Sequence, residues 1–307
     1  MLDFRILVEL KTLWKAIILI MLVGILIVAY SYYPRPAENE VNVCVHLSDF
    51  GCSTFSHLAE LGVKMVRTDW ETTDDYSMRD CSQNLEDNNI SLLAIIDINT
   101  FNQTIPSLEE WKGNLTEIVA SEGFNNVDAV EIWNEPNAEA YIPSETYYEM
   151  LKSAYVIIKN YTEIPVVFAG VSPEWGDDWK NYLNTVFAFG DTEDYFDCMG
   201  VHFYYPNMQM NLDVLQFVES LTNKPVWLTE TGKPSVIENN SETEQADYLS
   251  LVCSTFKPLV SKIFIYELYD NQGLSPPKEN YFGLLTVEGK QKEAYWVVCD
   301  INRKLGK

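Results

Sequence analysis

Apolar positions along this chain come in two kinds of run. Near the start, a single stretch from Ala16 to Tyr33 (AIILIMLVGILIVAYSYY) is apolar on every face and carries no charge. At about 1.5 Å per residue it would span about 27 Å as a helix, which suits the hydrocarbon core of a bilayer. After residue 40 the pattern changes, and short β-branched runs alternate with longer stretches of helical period through to the C-terminus. The predicted strands are Val41–Leu47, Val63–Trp70, Ser91–Asp97, Ala129–Asn134, Pro165–Val171, Cys198–Tyr204, Pro225–Thr229 and Lys262–Leu268. Mostly continuous apolar runs of this length fit parallel strands buried on both faces. The predicted helices are Ser53–Leu61, Met78–Asn88, Leu108–Ala120, Glu145–Asn160, Trp179–Phe189, Leu212–Leu221, Thr243–Phe256 and Lys292–Asn302. Ser107 and the Ser241-x-x-Glu244 box supply N-terminal caps.

Eight strand–helix repeats favour closure into a barrel over an open sheet. An open dinucleotide-binding sheet would want a glycine-rich turn after the first strand, and Ser48-Asp49-Phe50-Gly51-Cys52 lacks one. The expected fold class is therefore α/β, a (β/α)8 TIM barrel preceded by a single N-terminal transmembrane helix. Residues 1–15 read as a short cytoplasmic tail and 16–33 as a signal-anchor. Residues 34–40 (PRPAENE) read as a linker, and 41–307 as the barrel domain.

Lys11 and Lys15 precede the apolar run, and Tyr30, Tyr32 and Tyr33 stand at its far end as an aromatic belt. The positive-inside rule then puts the barrel outside the cytoplasm, held at the cell membrane by one pass. A cleaved signal peptide is the competing reading and would secrete the domain, although Ala29-Tyr30-Ser31 is a poor cleavage site. Five Asn-x-Ser/Thr triplets, at Asn89, Asn102, Asn114, Asn160 and Asn239, all follow the anchor and agree with export. So does the placement of six cysteines, none spaced as CxxC. Cys44 and Cys198, inside apolar strands, read as buried thiols. Cys52 with Cys81 and Cys253 with Cys299 lie on neighbouring helices and are candidate disulfide pairs beside the reading as free thiols.

Charge narrows the partners. The net charge of −24 repels phosphate backbones and strongly anionic polymers, so nucleic acid is excluded and a neutral substrate favoured. Only three histidines occur, which leaves a multi-histidine metal site unsupported, and neither metal nor cofactor is expected.

Barrel enzymes carry their working groups at the carboxyl ends of strands. Here those ends read His46, Asp69 with Trp70, Asp97, Glu135, Ser172 with Glu174, His202 with Tyr204, Glu230, and Glu267 with Asp270. Glu131-Ile132-Trp133-Asn134-Glu135-Pro136-Asn137 ends the fourth strand and Val226-Trp227-Leu228-Thr229-Glu230-Thr231-Gly232 the seventh. Strands four and seven face each other across the mouth. Two carboxylates flanking one bond are what glycosidic cleavage needs, one to protonate the leaving oxygen and one to meet the oxocarbenium-like centre.

The Trp-Asn-Glu-Pro and Thr-Glu-Thr-Gly segments resemble those of clan A glycoside hydrolases, a group of retaining (β/α)8 enzymes that includes cellulases, mannanases and xylosidases. The resemblance extends over roughly Val41 to Lys304. It implies Glu135 as acid/base, Glu230 as nucleophile, Asn134 as holder of the substrate 2-hydroxyl and Arg67 as support for the nucleophile. His202-Phe203-Tyr204 matches the typical His-x-Tyr of strand six. The pattern departs at strand eight, where many members place a Trp and this chain has Ile265-Tyr266-Glu267; Tyr266 is the candidate sugar platform. Substrate contacts are expected from Tyr266 and Glu267, and from Trp70 and Trp175 as aromatic walls. Glu131 reads as a structural carboxylate. Trp133 and Pro136 are expected to desolvate Glu135, and Arg67 and Tyr204 to stabilise the ionised Glu230. The whole implies a retaining β-glycosidase acting on a β-linked poly- or oligosaccharide, with loops of a length that favours an open cleft and internal cleavage. The alternative is a membrane-tethered barrel that binds carbohydrate without cleaving it.

Overall fold

The computed structural model describes residues 41–71, 75–138, 141–174, 178–236 and 241–304. The expected tail, membrane segment and linker lie outside the described residues, as does Trp175. Among the described residues, no helix is long and apolar enough to cross a membrane.

Eight strands form a closed parallel barrel in sequence order, β1 to β8, with β1 pairing β8 through Val41 and Ile263. The strands are β1 Val41–Cys44, β2 Met65–Asp69, β3 Ser91–Ile96, β4 Ala129–Ile132, β5 Val166–Val171, β6 Cys198–Phe203, β7 Val226–Thr231 and β8 Lys262–Ile265. Eight helices alternate with them: α1 Cys52–Leu61, α2 Asp75–Asp87, α3 Leu108–Val119, α4 Ser144–Tyr161, α5 Trp179–Phe187, α6 Met208–Leu221, α7 Glu242–Phe256 and α8 Glu293–Arg303. The expected cap at Ser107 and the expected Ser241–Glu244 box both form, and the first is also a capping box, with Ser107 pairing reciprocally with Glu110.

Two separate apolar cores follow from strand alternation. One residue from each strand fills the barrel interior: Cys44, Met65, Leu93, Ala129, Val167, Cys198, Trp227 and Phe264. The intervening positions, such as Val43, Val66, Leu92 and Val130, join the larger core between sheet and helices. Cys44 and Cys198 are thus buried thiols, as their setting implied.

The candidate disulfides do not form, and all six cysteines are free thiols. Cys52 is exposed at the start of α1, whereas Cys81 is buried in the core beneath α2. The Cys299 thiol turns toward α1 and donates to the Glu60 carbonyl at 3.6 Å. Neighbouring helices bring each pair near in order, but neither pair is bonded.

Candidate active site

Arg67 sits at the centre of the barrel mouth. It lies two residues beyond the interior Met65 on β2, and only 2% of it is exposed. Its Nε donates to Glu131 Oε2 at 2.6 Å, its Nη2 to Asn134 Oδ1 at 2.9 Å, and its Nη1 to Glu230 Oε1. Glu131, fully buried on β4, accepts the Gly170 N–H at its other oxygen at 2.9 Å. It is a structural counter-charge that makes a buried guanidinium tolerable.

The chain leaves β4 through a strained turn. Trp133 (φ 72°) and Glu135 (φ 42°) both occupy the left-handed region, which a bulky side chain adopts only when its surroundings dictate it. For Trp133 they do: the indole is fully buried, near Phe101 and Trp111 at ring separations of 6.4 and 6.3 Å. It anchors the turn from the helix side and does not border the cavity at Glu135, contrary to the desolvating role expected of it. The turn leaves Glu135 facing the mouth, its amide donating to the Gly170 carbonyl at 3.0 Å.

Glu230 owes its direction to an irregularity in β7. Val201 pairs with Leu228 but the next residue, His202, pairs with Glu230, so β7 carries one extra residue there. Such a bulge re-aims the side chains beyond it. The Glu230 carboxylate accepts from Arg67 on one oxygen and from the Tyr204 hydroxyl on the other, at 2.6 Å. His202 completes the group. Its Nδ1 stands 2.7 Å from Glu135 Oε1 and 3.7 Å from Glu230 Oε2, and the ring is fully buried. Room for it exists because residue 170 is glycine: a Cβ there would lie 2.0 Å from His202 Nε2.

The charges act on one another. Burial pushes Glu230 up, but His202, Arg67 and the Tyr204 hydroxyl outweigh it and hold the carboxyl below its ordinary value. Burial pushes His202 down, yet Glu230 and Glu135 raise it above the usual imidazole value. Tyr204 is raised well above a free phenol by burial and by Glu230, so it stays a donor. One ligand atom each of Glu135, His202 and Glu230 fall within 4.8 Å of one another. That spacing alone would suit a divalent cation. However, both Glu230 oxygens already accept hydrogen bonds, one from a guanidinium whose charge opposes a cation, so the group fits proton transfer and nucleophilic attack better.

Glu135, Glu230, Asn134, Tyr204 and Tyr266 all line one cavity of about 600 Å³. Tyr266, joined to Glu267 by a cis peptide, packs edge-on to Phe282 at 5.6 Å. Glu267 is buried nearby, within 2.7 Å of both His46 Nε2 and Asn271 Nδ2. Burial lifts its carboxyl to about 7 against the lowering effect of His46. His46 in turn is held up at about 11: desolvation lowers it, and Asp69 and Glu267 more than reverse that. Trp70 does not join the site. It is 3% exposed, packs on Phe124, and borders a separate outer groove with Phe101 and Ile105. Among residues the sequence did not single out, Phe282 packs on both Tyr204 and Tyr266, and Asn271 fixes Glu267. Phe282 lies in a long loop whose return path no periodicity reveals.

Comparison with known proteins now decides the family. Residues 73–275, more than half of the chain, match the family described as glycosyl hydrolase catalytic core. The chain belongs to that family. Among solved structures, this glycosyl hydrolase barrel is similar to a family 39 glycoside hydrolase from the gut symbiont Bacteroides cellulosilyticus WH2, at TM-score 0.66 and 21% identity over 87% of this chain and 64% of that one. It is also similar to a beta-glucuronidase from an uncultured Clostridium sp. (TM-score 0.64, 16% identity, 87% and 50% covered). A third is a glucosidase from Croceicoccus marinus (TM-score 0.65, 14% identity, 88% and 66% covered). These likenesses establish the barrel fold. The chain spans from half to about two thirds of the length of these three solved chains. No curated protein matches the sequence.

Proposed function

We propose that the chain is a retaining β-glycoside hydrolase in which Glu135 is the acid/base and Glu230 the nucleophile. The observation that carries this reading is the closeness of the two carboxylates, an oxygen of each within 4.8 Å of the other. Retaining enzymes hold their carboxyls about 5–5.5 Å apart, whereas inverting ones leave roughly 6.5–9.5 Å for a water. In the first step Glu135, protonated, gives its proton to the glycosidic oxygen while Glu230 bonds to the anomeric carbon and the aglycone leaves. In the second, Glu135 takes a proton from water as that water displaces Glu230, which restores both groups. The Arg67 and Tyr204 hydrogen bonds keep Glu230 ionised and ready to attack. His202, within reach of both carboxylates, fixes Glu135 and moderates the charge between them.

A binding barrel without catalysis would need an aromatic-lined cavity but not a carboxylate held ionised by a buried arginine. The substrate follows as a β-linked poly- or oligosaccharide. The apolar run Ala16–Tyr33 behind Lys11 and Lys15 supports a membrane anchor with the barrel outside the cytoplasm. Protease added to intact cells should remove the barrel if that placement holds.

The deciding experiment uses the purified full chain on aryl β-glycosides, with NMR of the first-formed sugar. The β-anomer is expected first; the α-anomer would make the enzyme inverting. Absence of hydrolysis across glucosides, galactosides, mannosides and xylosides would favour the binding barrel.

A further inference from the structure

The space on the two sides of the carboxylate pair is unequal. Toward β4–β8 lies the cavity of about 600 Å³, bordered by Glu135, Tyr204, Phe282 and the loop after β8. Toward β8, β1 and β2 lies a recess of only about 180 Å³, bordered by His46, Asp69 and Glu267. Glu230 and Asn134 border both spaces, but Glu135 borders the larger one alone.

This asymmetry sets the direction of the substrate, given the acid and nucleophile roles proposed above. The leaving oxygen must reach Glu135, so the leaving group occupies the large cavity. The sugar attacked by Glu230 then occupies the recess. A volume of about 180 Å³ corresponds to about six waters of liquid, space for one pyranose ring and not for two. His46 and buried Glu267, 2.7 Å apart, border the recess on its β1 and β8 side.

The lining also selects by charge. Asp69, Glu267 and Glu230 are carboxyl acceptors suited to sugar hydroxyls. The two cations among the described residues of the recess, Arg67 and His46, are both already paired with carboxylates. A uronic acid carboxylate placed there would add negative charge with no free counter-charge. We infer that the enzyme is exo-acting and releases one neutral β-linked sugar at a time from the non-reducing end, the recess rather than loop length setting the mode of action.

The test uses the wild-type full chain, so folding of a variant is not at issue. Two β-linked pentasaccharides of the preferred sugar are compared, one free and one capped at its non-reducing end by a benzylidene acetal. Aryl β-glucuronide is run beside the neutral aryl glycosides. The free pentasaccharide should shorten by single sugars from its non-reducing end while the capped one resists. The glucuronide should be about 100-fold slower than the best neutral glycoside, as like-charge juxtaposition demands. Internal cleavage of the capped substrate would overturn exo action while leaving the hydrolase reading intact. A glucuronide rate equal to the neutral one would overturn the charge selection. No hydrolysis of any substrate would overturn the acid and nucleophile roles, and this inference with them.

Discussion

A Cβ added to Gly170 would lie 2.0 Å from Nε2 of His202 and 2.7 Å from Oγ1 of Thr229, so β5, β6 and β7 meet here in a way that only glycine permits. Gly170→Ala should therefore drive the imidazole off Glu135. Expected costs are about 1–3 kcal/mol in stability, as for other overpacked cores, and a fall of about 100-fold in kcat from the misplaced ring. The double variant with His202→Ala should recover part of the stability, the close contact at Thr229 remaining, but not the rate. Full activity in Gly170→Ala would remove His202 from the catalytic arrangement.

Azide separates the roles of the two glutamates. Glu230→Gln should lose about 10⁴-fold or more in turnover on every substrate, since the covalent path is closed. Glu135→Gln should still form the glycosyl-enzyme from an activated aryl glycoside, then stall, giving a burst. Azide should restart turnover and yield the β-glycosyl azide. An α-glycosyl azide from the Glu230 variant, with no rescue at Glu135, would exchange the assignments.

Arg67 carries a stability prediction. Arg67→Met leaves Glu131 fully buried with its main partner gone and Glu230 without its guanidinium. Breaking such a buried pair costs about 3–5 kcal/mol, readable by urea denaturation. Adding Glu131→Gln to that variant should restore part of the loss. A cost below about 1 kcal/mol for Arg67→Met would mean that water reaches the site.

Stability should fall on both sides of mildly acidic pH. Glu267 is raised to about 7 and His46 to about 11, so the folded state holds protons that the unfolded chain releases. Their contribution is complete at low pH and is lost as pH rises, for Glu267 between about 4.5 and 7 and for His46 from about 6.5 to 11. Glu230, held low, acts oppositely: its stabilisation is present above about 4.5 and is lost as pH falls below that. The melting temperature should decline from pH 5 to pH 8, and Glu267→Gln should flatten the part below 7. A wild-type melting temperature that climbs over that range would contradict the buried Glu267 proton.

Thiol counting checks the corrected cysteines. Five of the six thiols are buried, and Cys52 is exposed. A thiol reagent should label one cysteine rapidly in the folded protein and six after denaturation without reductant. Two labelled after denaturation would restore the two bridges.

Much of this architecture was legible in the chain because apolar runs report burial directly. All eight strands and eight helices fall close to their expected positions, and Arg67, Asn134, His202 and Tyr204 do converge on Glu135 and Glu230. What could not be read depends on direction rather than position. Cys253 and Cys299 sit on adjacent helices, yet the Cys299 thiol donates to Glu60 on α1 and both stay free. Trp70 ends a strand yet turns outward, and Trp133 stabilises its turn from behind. Phe282 enters the site from a loop that follows no period.

The extra residue in β7 has a bearing on how this protein can be altered. Side chains along a strand swap faces with each step, so if β7 ran from the interior Trp227 to residue 230 without the bulge, position 230 would fall on the helix side. The glutamate would survive in the sequence, yet it would point toward the helices, and Arg67 would be left facing an empty corner. Grafts, loop exchanges and alignments across this segment therefore have to preserve a count as well as a composition.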